Sequence, residues 1–84
     1  MDRRPPLRVA FVEEVVRMPR YYFHIKRGQV TILDHEGSEL IDLAEAEKEA
    51  VRRGREIVSR GGPSHRGTII VADHNWQPLF ELPF

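Results

Sequence analysis

The stretch RYYFHIKR, residues 20–27, preceded by Met18-Pro19 and followed by Gly28-Gln29, sets the fold. Successive side chains of a strand point to opposite faces, so Tyr21, Phe23 and Ile25 share one side and Tyr22, His24 and Lys26 the other. Aromatic and β-branched residues suit a pleated surface, and the first side is the more apolar. The pattern predicts a half-buried strand. Gly28-Gln29 offers a two-residue turn, after which Val30 to Asp34 returns as a second strand, so the two form an antiparallel hairpin. His35-Glu36-Gly37-Ser38 then redirects the chain, with Gly37 available for a positive φ.

A helix opens at Asp42. Aspartate followed three residues later by Glu45 fits a reciprocal cap, and Ile41 is placed to staple against Ala46. Glu45, Glu47 and Glu49 come early, and Arg52, Arg53, Arg55 and Arg60 come late, the order that complements the helix dipole. Leu43, Ala46, Ala50, Gly54 and Ile57, with Val51 and Val58 alongside, make one apolar stripe. Gly54 costs about 1 kcal/mol against alanine in a helix, so a close approach to a sheet is the expected reason for it. Gly61-Gly62-Pro63 ends the helix.

Gly67 to Asp73, carrying Thr68, Ile69, Ile70, Val71 and Ala72, is apolar on both sides and predicts a central strand. His74-Asn75 turns the chain toward Leu79 to Phe84, where Pro78 and Pro83 lack amide donors and confine the last strand to an edge. The expected fold is therefore α+β: one ββαββ domain with a four-stranded antiparallel sheet in the order 2-1-3-4. Its helix covers one face and leaves the other open.

All of these elements follow Met18. Residues 18–84 are thus expected to be the domain and residues 1–17 an N-terminal extension, flexible or a short helix. The extension's functional reading is a docking arm using Val9, Phe11, Val12, Val15 and Val16. At 84 residues, 40% hydrophobic and 31% charged, the chain suits one soluble domain. So short a chain buries only about 60% of its unfolded surface, and oligomerisation is one way to supplement a thin core. The absence of cysteine removes disulfides, thiolate metal sites and thiol nucleophiles and suits a reducing cytoplasm. No apolar run approaches the roughly 20 residues needed to span a bilayer, and no secretory signal is recognisable, so no membrane role is expected. Net charge is formally zero. Residues 1–17 carry four arginines against three carboxylates, so neither part has the basic excess that nucleic acid rewards.

Three stretches carry a resemblance: MPRYYFHI (18–25), DHEGSELIDLAEAEKEA (34–50) and LFELPF (79–84). Together they resemble a bacterial family of short uncharacterised proteins, a domain-of-unknown-function family. Its members open with an M-P-R-Y-Y-F-like run, continue with D-x-x-G-x-E-L-x-D-L and close near L-P-F. The resemblance spans nearly all of residues 18–84 and supports Met18 as the domain start. It implies no activity, ligand or partner.

The chemistry legible in the residues is sparse. His24, His35, His65 and His74 fall in no helical metal pair or His-Glu-x-x-His motif, and three of them lie in predicted turns or loops. The bland reading is four solvated histidines. Asp34, Glu36 and Glu39 are too short a set for a calcium loop and read as solvated turn carboxylates. No phosphate cradle or nucleophile elbow is present, so no enzyme activity, cofactor or metal is expected. The open sheet face is the best functional surface: Tyr22, His24 and Lys26, joined across the strand pair by Thr68 and Ile70. A noncatalytic role in protein interaction is expected, with a second copy or another protein partner bound through this face or, in self-association, through an edge strand. The alternative is a nucleic-acid regulator using that face with the helix arginines. Trp76 is expected to close the small core as a lid at the last hairpin.

Overall fold

A computed structural model describes residues 18–84. The expected extension and docking arm, residues 1–17, lie outside the described residues. In chain order the elements are β1 (Arg20–Arg27), β2 (Val30–Ile32), β3 (Ser38–Glu39), α1 (Leu43–Gly61), a 3-10 turn (Gly62–His65), β4 (Thr68–Ala72) and β5 (Pro78–Pro83). The fold is α+β, one helix on an antiparallel sheet.

The longer strands lie in the order β2-β1-β4-β5, which is the expected arrangement. The difference in detail is β3, which begins at Ser38, where the sequence predicts the end of a turn. β2 stops at Ile32 and pairs only with Ile25 to Arg27, leaving the first half of that β1 edge open. Ser38 and Glu39 pair with Tyr21 and Arg20 in the vacant half. An Arg20–Glu39 ion pair at 3.1 Å and a hydrogen bond from Arg53 to Ser38 Oγ at 3.0 Å hold them there. At the hairpin Gly28 has φ 58°, as the first central residue of a tight two-residue turn requires.

The core lies between the sheet and α1. Tyr21 and Phe23 of β1 and Ile69 and Val71 of β4 are buried against Ala46 and Ala50, with Ile25, Leu40, Phe80, Leu82 and Phe84 packed around them. Phe23 stands opposite Val71 and Ile25 opposite Ile69, so each cross-strand pair presents one surface to the helix. Of the predicted helical stripe only Ala46, Ala50 and Gly54 are buried. They are four residues apart and small, which lets the helix backbone close on the sheet while the bulk comes from the strands. Close approach is the reason for Gly54: a Cβ there would stand 2.8 Å from Phe84 Cβ. Leu43 is exposed instead of joining the stripe.

The start of the helix differs from expectation in two respects. Asp42 accepts the Glu45 N–H at 3.0 Å, but the Glu45 carboxylate turns to Lys48 at 3.2 Å, so half of the reciprocal cap forms. Ile41 is 67% exposed and forms no staple on Ala46. At the other end the Gly62 N–H donates to Val58 O. The Arg53 guanidinium lies 4.2 Å above the Phe23 ring and also reaches Glu49 at 2.7 Å, closing one side of the core with a cation.

Candidate interaction surface

The second sheet face carries Tyr22, His24 and Lys26 on β1, opposite Ala72, Ile70 and Thr68 of β4. The strand period places them together as read from the sequence. What covers them was not foreseen.

β4 and β5 are joined by Asp73-His74-Asn75-Trp76-Gln77. The Trp76 N–H donates to Asp73 O at 2.9 Å, while Asp73 and Gln77 are joined by a backbone hydrogen bond at 3.0 Å. The Asp73 carboxylate accepts the N–H groups of Asn75 and Gln77 at 2.9 and 3.0 Å. This is a turn followed by a left-handed residue, a position that glycine usually takes. Trp76 occupies it, with φ 62°. A bulky side chain in that conformation costs about 1–2 kcal/mol.

The strained backbone aims the indole across the open face. Its ring is stacked 4.9 Å from His24 and 5.3 Å from Tyr22, within 21° of parallel to both, and His35 stands tilted at 6.1 Å. Trp76 is therefore no lid on the core; it lies on the opposite side of the sheet. Underneath it His24 is only 6% exposed, so the reading of four solvated histidines fails at this position. Trp76 itself remains 44% exposed and presents apolar area to solvent. Lys26 is exposed on the same face but stands outside the stack.

A single carboxylate holds the frame of this cluster. Between its β2 and β3 pairings, β1 has no strand partner on that edge among the described residues, and the Phe23 N–H donates instead to Asp34 Oδ2 at 3.0 Å. The other oxygen, Oδ1, accepts Glu36 N–H at 3.1 Å and Gly37 N–H at 3.0 Å. Asp34 is thus a hub and no solvated turn carboxylate. Burial opposes its charged form, but the N–H groups of Gly37, Phe23 and Glu36, together with the Arg53 charge, outweigh that and hold its pKa below the ordinary carboxylate range.

The Asp34 N–H donates to His24 Nδ1 at 3.0 Å, so that nitrogen is an acceptor and the imidazole proton sits on Nε2. Burial lowers the His24 pKa, against the attraction of Asp34, and the neutral ring is favoured. Gly37, at φ 73°, completes the support: a Cβ there would stand 2.9 Å from both Arg20 Cγ and Tyr22 Cε2. Only glycine satisfies that backbone angle and that clearance together. Among the described residues, no group of three or more histidine, aspartate or glutamate side chains is placed to hold a metal ion.

The sequence reading missed Trp76, His35 and Asp34 as members of this surface. The legible sign for Trp76 was the turn grammar Asp73-His74-Asn75, which calls for a left-handed residue next. For Asp34 there was none, since its role follows from a gap in strand pairing.

A family described as a domain of unknown function, DUF6894, matches residues 20–84. The chain belongs to the DUF6894 family. No curated protein and no solved structure matches it. The DUF6894 match runs from the first residue of β1 through Phe84, so every residue of the aromatic surface falls inside it. Within this DUF6894 domain, no helix of the described residues is long and apolar enough to cross a membrane.

Proposed function

We propose that this protein is a noncatalytic interaction module that binds a protein partner, in the first instance a second copy of itself, through the Trp76-covered sheet face. The observation that carries the reading is Trp76: a tryptophan held at φ 62°, stacked on Tyr22 and His24 and still 44% exposed. Backbone strain persists where surrounding structure imposes it and gathers at working sites. Tryptophan and tyrosine are also the residues that most often anchor protein interfaces. Lys26 supplies a charge at the rim. We also propose a cytoplasmic location, to which a cysteine-free chain is suited.

The nucleic-acid alternative has weaker support. It needs the sheet face and the helix arginines to act together, and α1 packs on the opposite side of the sheet. Arg52, Arg53 and Arg60 are moreover paired with Glu49 and Glu56.

Sedimentation velocity of the full chain over a concentration series, for wild type, Trp76→Gly, Tyr22→Ala and Lys26→Glu, tests the proposal. Association is expected for the wild type and should weaken by more than about 1 kcal/mol in the first two variants with the fold retained. Lys26→Glu should matter chiefly at low salt. Association unaltered by Trp76→Gly and Tyr22→Ala removes this face. A monomer that shifts only with single-stranded RNA replaces the reading with the nucleic-acid one.

A further inference from the structure

A second surface lies on the helix side of the molecule, away from Trp76. Between α1 and β5 runs an open groove of about 470 Å³ whose floor is apolar: Val51 and Val58 from the helix, Leu82 and Phe84 from the last strand. Arg55 and Arg66 stand at its rim and are exposed. Neither makes an ion pair among the described residues, although Arg52, Arg53 and Arg60 on the same helix are all engaged by glutamates. The groove therefore joins an apolar floor to two positive charges that no carboxylate of the described residues pairs.

The wall of the groove is an unfinished sheet. Among the described residues β5 ends the strand order and has β4 on one side only. Gly67 and Phe84 exchange backbone hydrogen bonds in both directions, at 3.3 and 2.8 Å. By the alternation of an antiparallel ladder, Leu82 also faces β4, while the backbone groups of Glu81 and Pro83 point outward. Pro83 lacks the N–H that would have pointed out, so this edge offers the Glu81 N–H and the carbonyls of Glu81 and Pro83. The prolines at both ends of β5 confine any added pairing to the short span between them.

We propose that this groove binds an extended acidic peptide segment of a partner protein, which adds as a short strand to β5. Alternate side chains of such a strand would enter the groove beside Leu82 and Phe84, and carboxylates would meet Arg55 and Arg66. An added strand uses main-chain hydrogen bonds for affinity and side-chain pockets for selectivity, and here the pockets and their charge are both on one side of the open edge. A free aliphatic acid would satisfy the floor and the arginines but would leave the outward backbone of Glu81 unused.

The test uses the full chain and a fluorescein-labelled peptide, Glu-Thr-Val-Thr-Val-Thr-Glu, whose valines and glutamates share one strand face and so reach the groove together, followed by fluorescence anisotropy. The same peptide with lysine in place of both glutamates serves as the control. Saturable binding of the acidic peptide is expected, with the control at least about tenfold weaker. Arg55→Glu and Arg66→Glu should each weaken it by about tenfold with far-UV circular dichroism unchanged, since both side chains are exposed. In hydrogen exchange the Glu81 amide should slow when the peptide binds. Equal binding of both peptides, indifference to the two arginine variants, or competition by decanoate without protection of Glu81 would each overturn the proposal. Trp76→Gly, on the other face, should leave this binding unaltered, which separates the groove from the aromatic surface.

Discussion

Trp76 sets two opposing quantities against each other on one side chain. Its φ of 62° costs about 1–2 kcal/mol relative to glycine, and its two ring stacks return about 0.5–1.5 kcal/mol each. These nearly cancel, so Trp76→Gly is expected to lie within about 1 kcal/mol of wild type in urea unfolding while exposing His24 and losing association. A loss above about 3 kcal/mol would show that the indole serves stability first. Asp34 is the contrary case. Asp34→Ala leaves the N–H groups of Phe23, Glu36 and Gly37 without their acceptor, and that of Phe23 is partly buried. The expected cost is about 3 kcal/mol, read from the urea midpoint. A cost below about 1 kcal/mol would mean that water replaces the carboxylate. At this level the sequence was least legible. Tyr22, His24 and Lys26 could be assigned to one face from their spacing alone. That Trp76 would bury one of them and bypass another depended on a backbone angle that tryptophan seldom adopts.

The strands and the helix were more legible, because each has a period that a short window can show. The alternation of residues 20–27, the glycine at the hairpin, the aspartate cap and the double glycine after the helix all express local physics. β3 was missed because two residues carry no period; Ser38 and Glu39 are extended only because the β1 edge beside them is vacant. The helix stripe was drawn too wide for a related reason. Periodicity identifies a face, whereas the small volumes of Ala46, Ala50 and Gly54 decide how near the sheet it sits. Gly54→Ala sharpens that point. Helix propensity favours alanine by about 1 kcal/mol, but the new methyl would meet Phe84 Cβ at 2.8 Å. Phe84 is tied to Gly67 by two backbone hydrogen bonds and cannot simply withdraw. The expected result is net destabilisation of about 1–2 kcal/mol by thermal unfolding, contrary to propensity. A stabilised variant would mean that the last strand yields easily.

A chain whose charges sum to zero still has a strongly directional response to acid, because its titrating groups are tied to particular parts of the fold. Glu49, held by Arg52 against the cost of its own burial and helped by Arg53, titrates at about 2 rather than 4.5. Asp34 is likewise lowered from 3.8. For both, the unfolded chain takes up protons first, so their stabilisation is complete above those ordinary values and is lost as pH falls toward the folded ones. His24 acts earlier. Burial lowers its pKa from 6.5, so the unfolded state again binds the proton more readily, and stability declines as pH drops below about 6.5. A charged His24 can no longer accept the Asp34 N–H, and the loss reaches the hub that joins β1 to the following turn. Urea midpoints measured from pH 8 to 3 are therefore expected to fall in two stages, one beginning near the ordinary histidine range and a steeper one in the carboxylate range. His24→Asn keeps an acceptor near Nδ1 but cannot be protonated. It should erase the upper stage and leave the lower, and an upper stage that persists in His24→Asn would show that another histidine carries it.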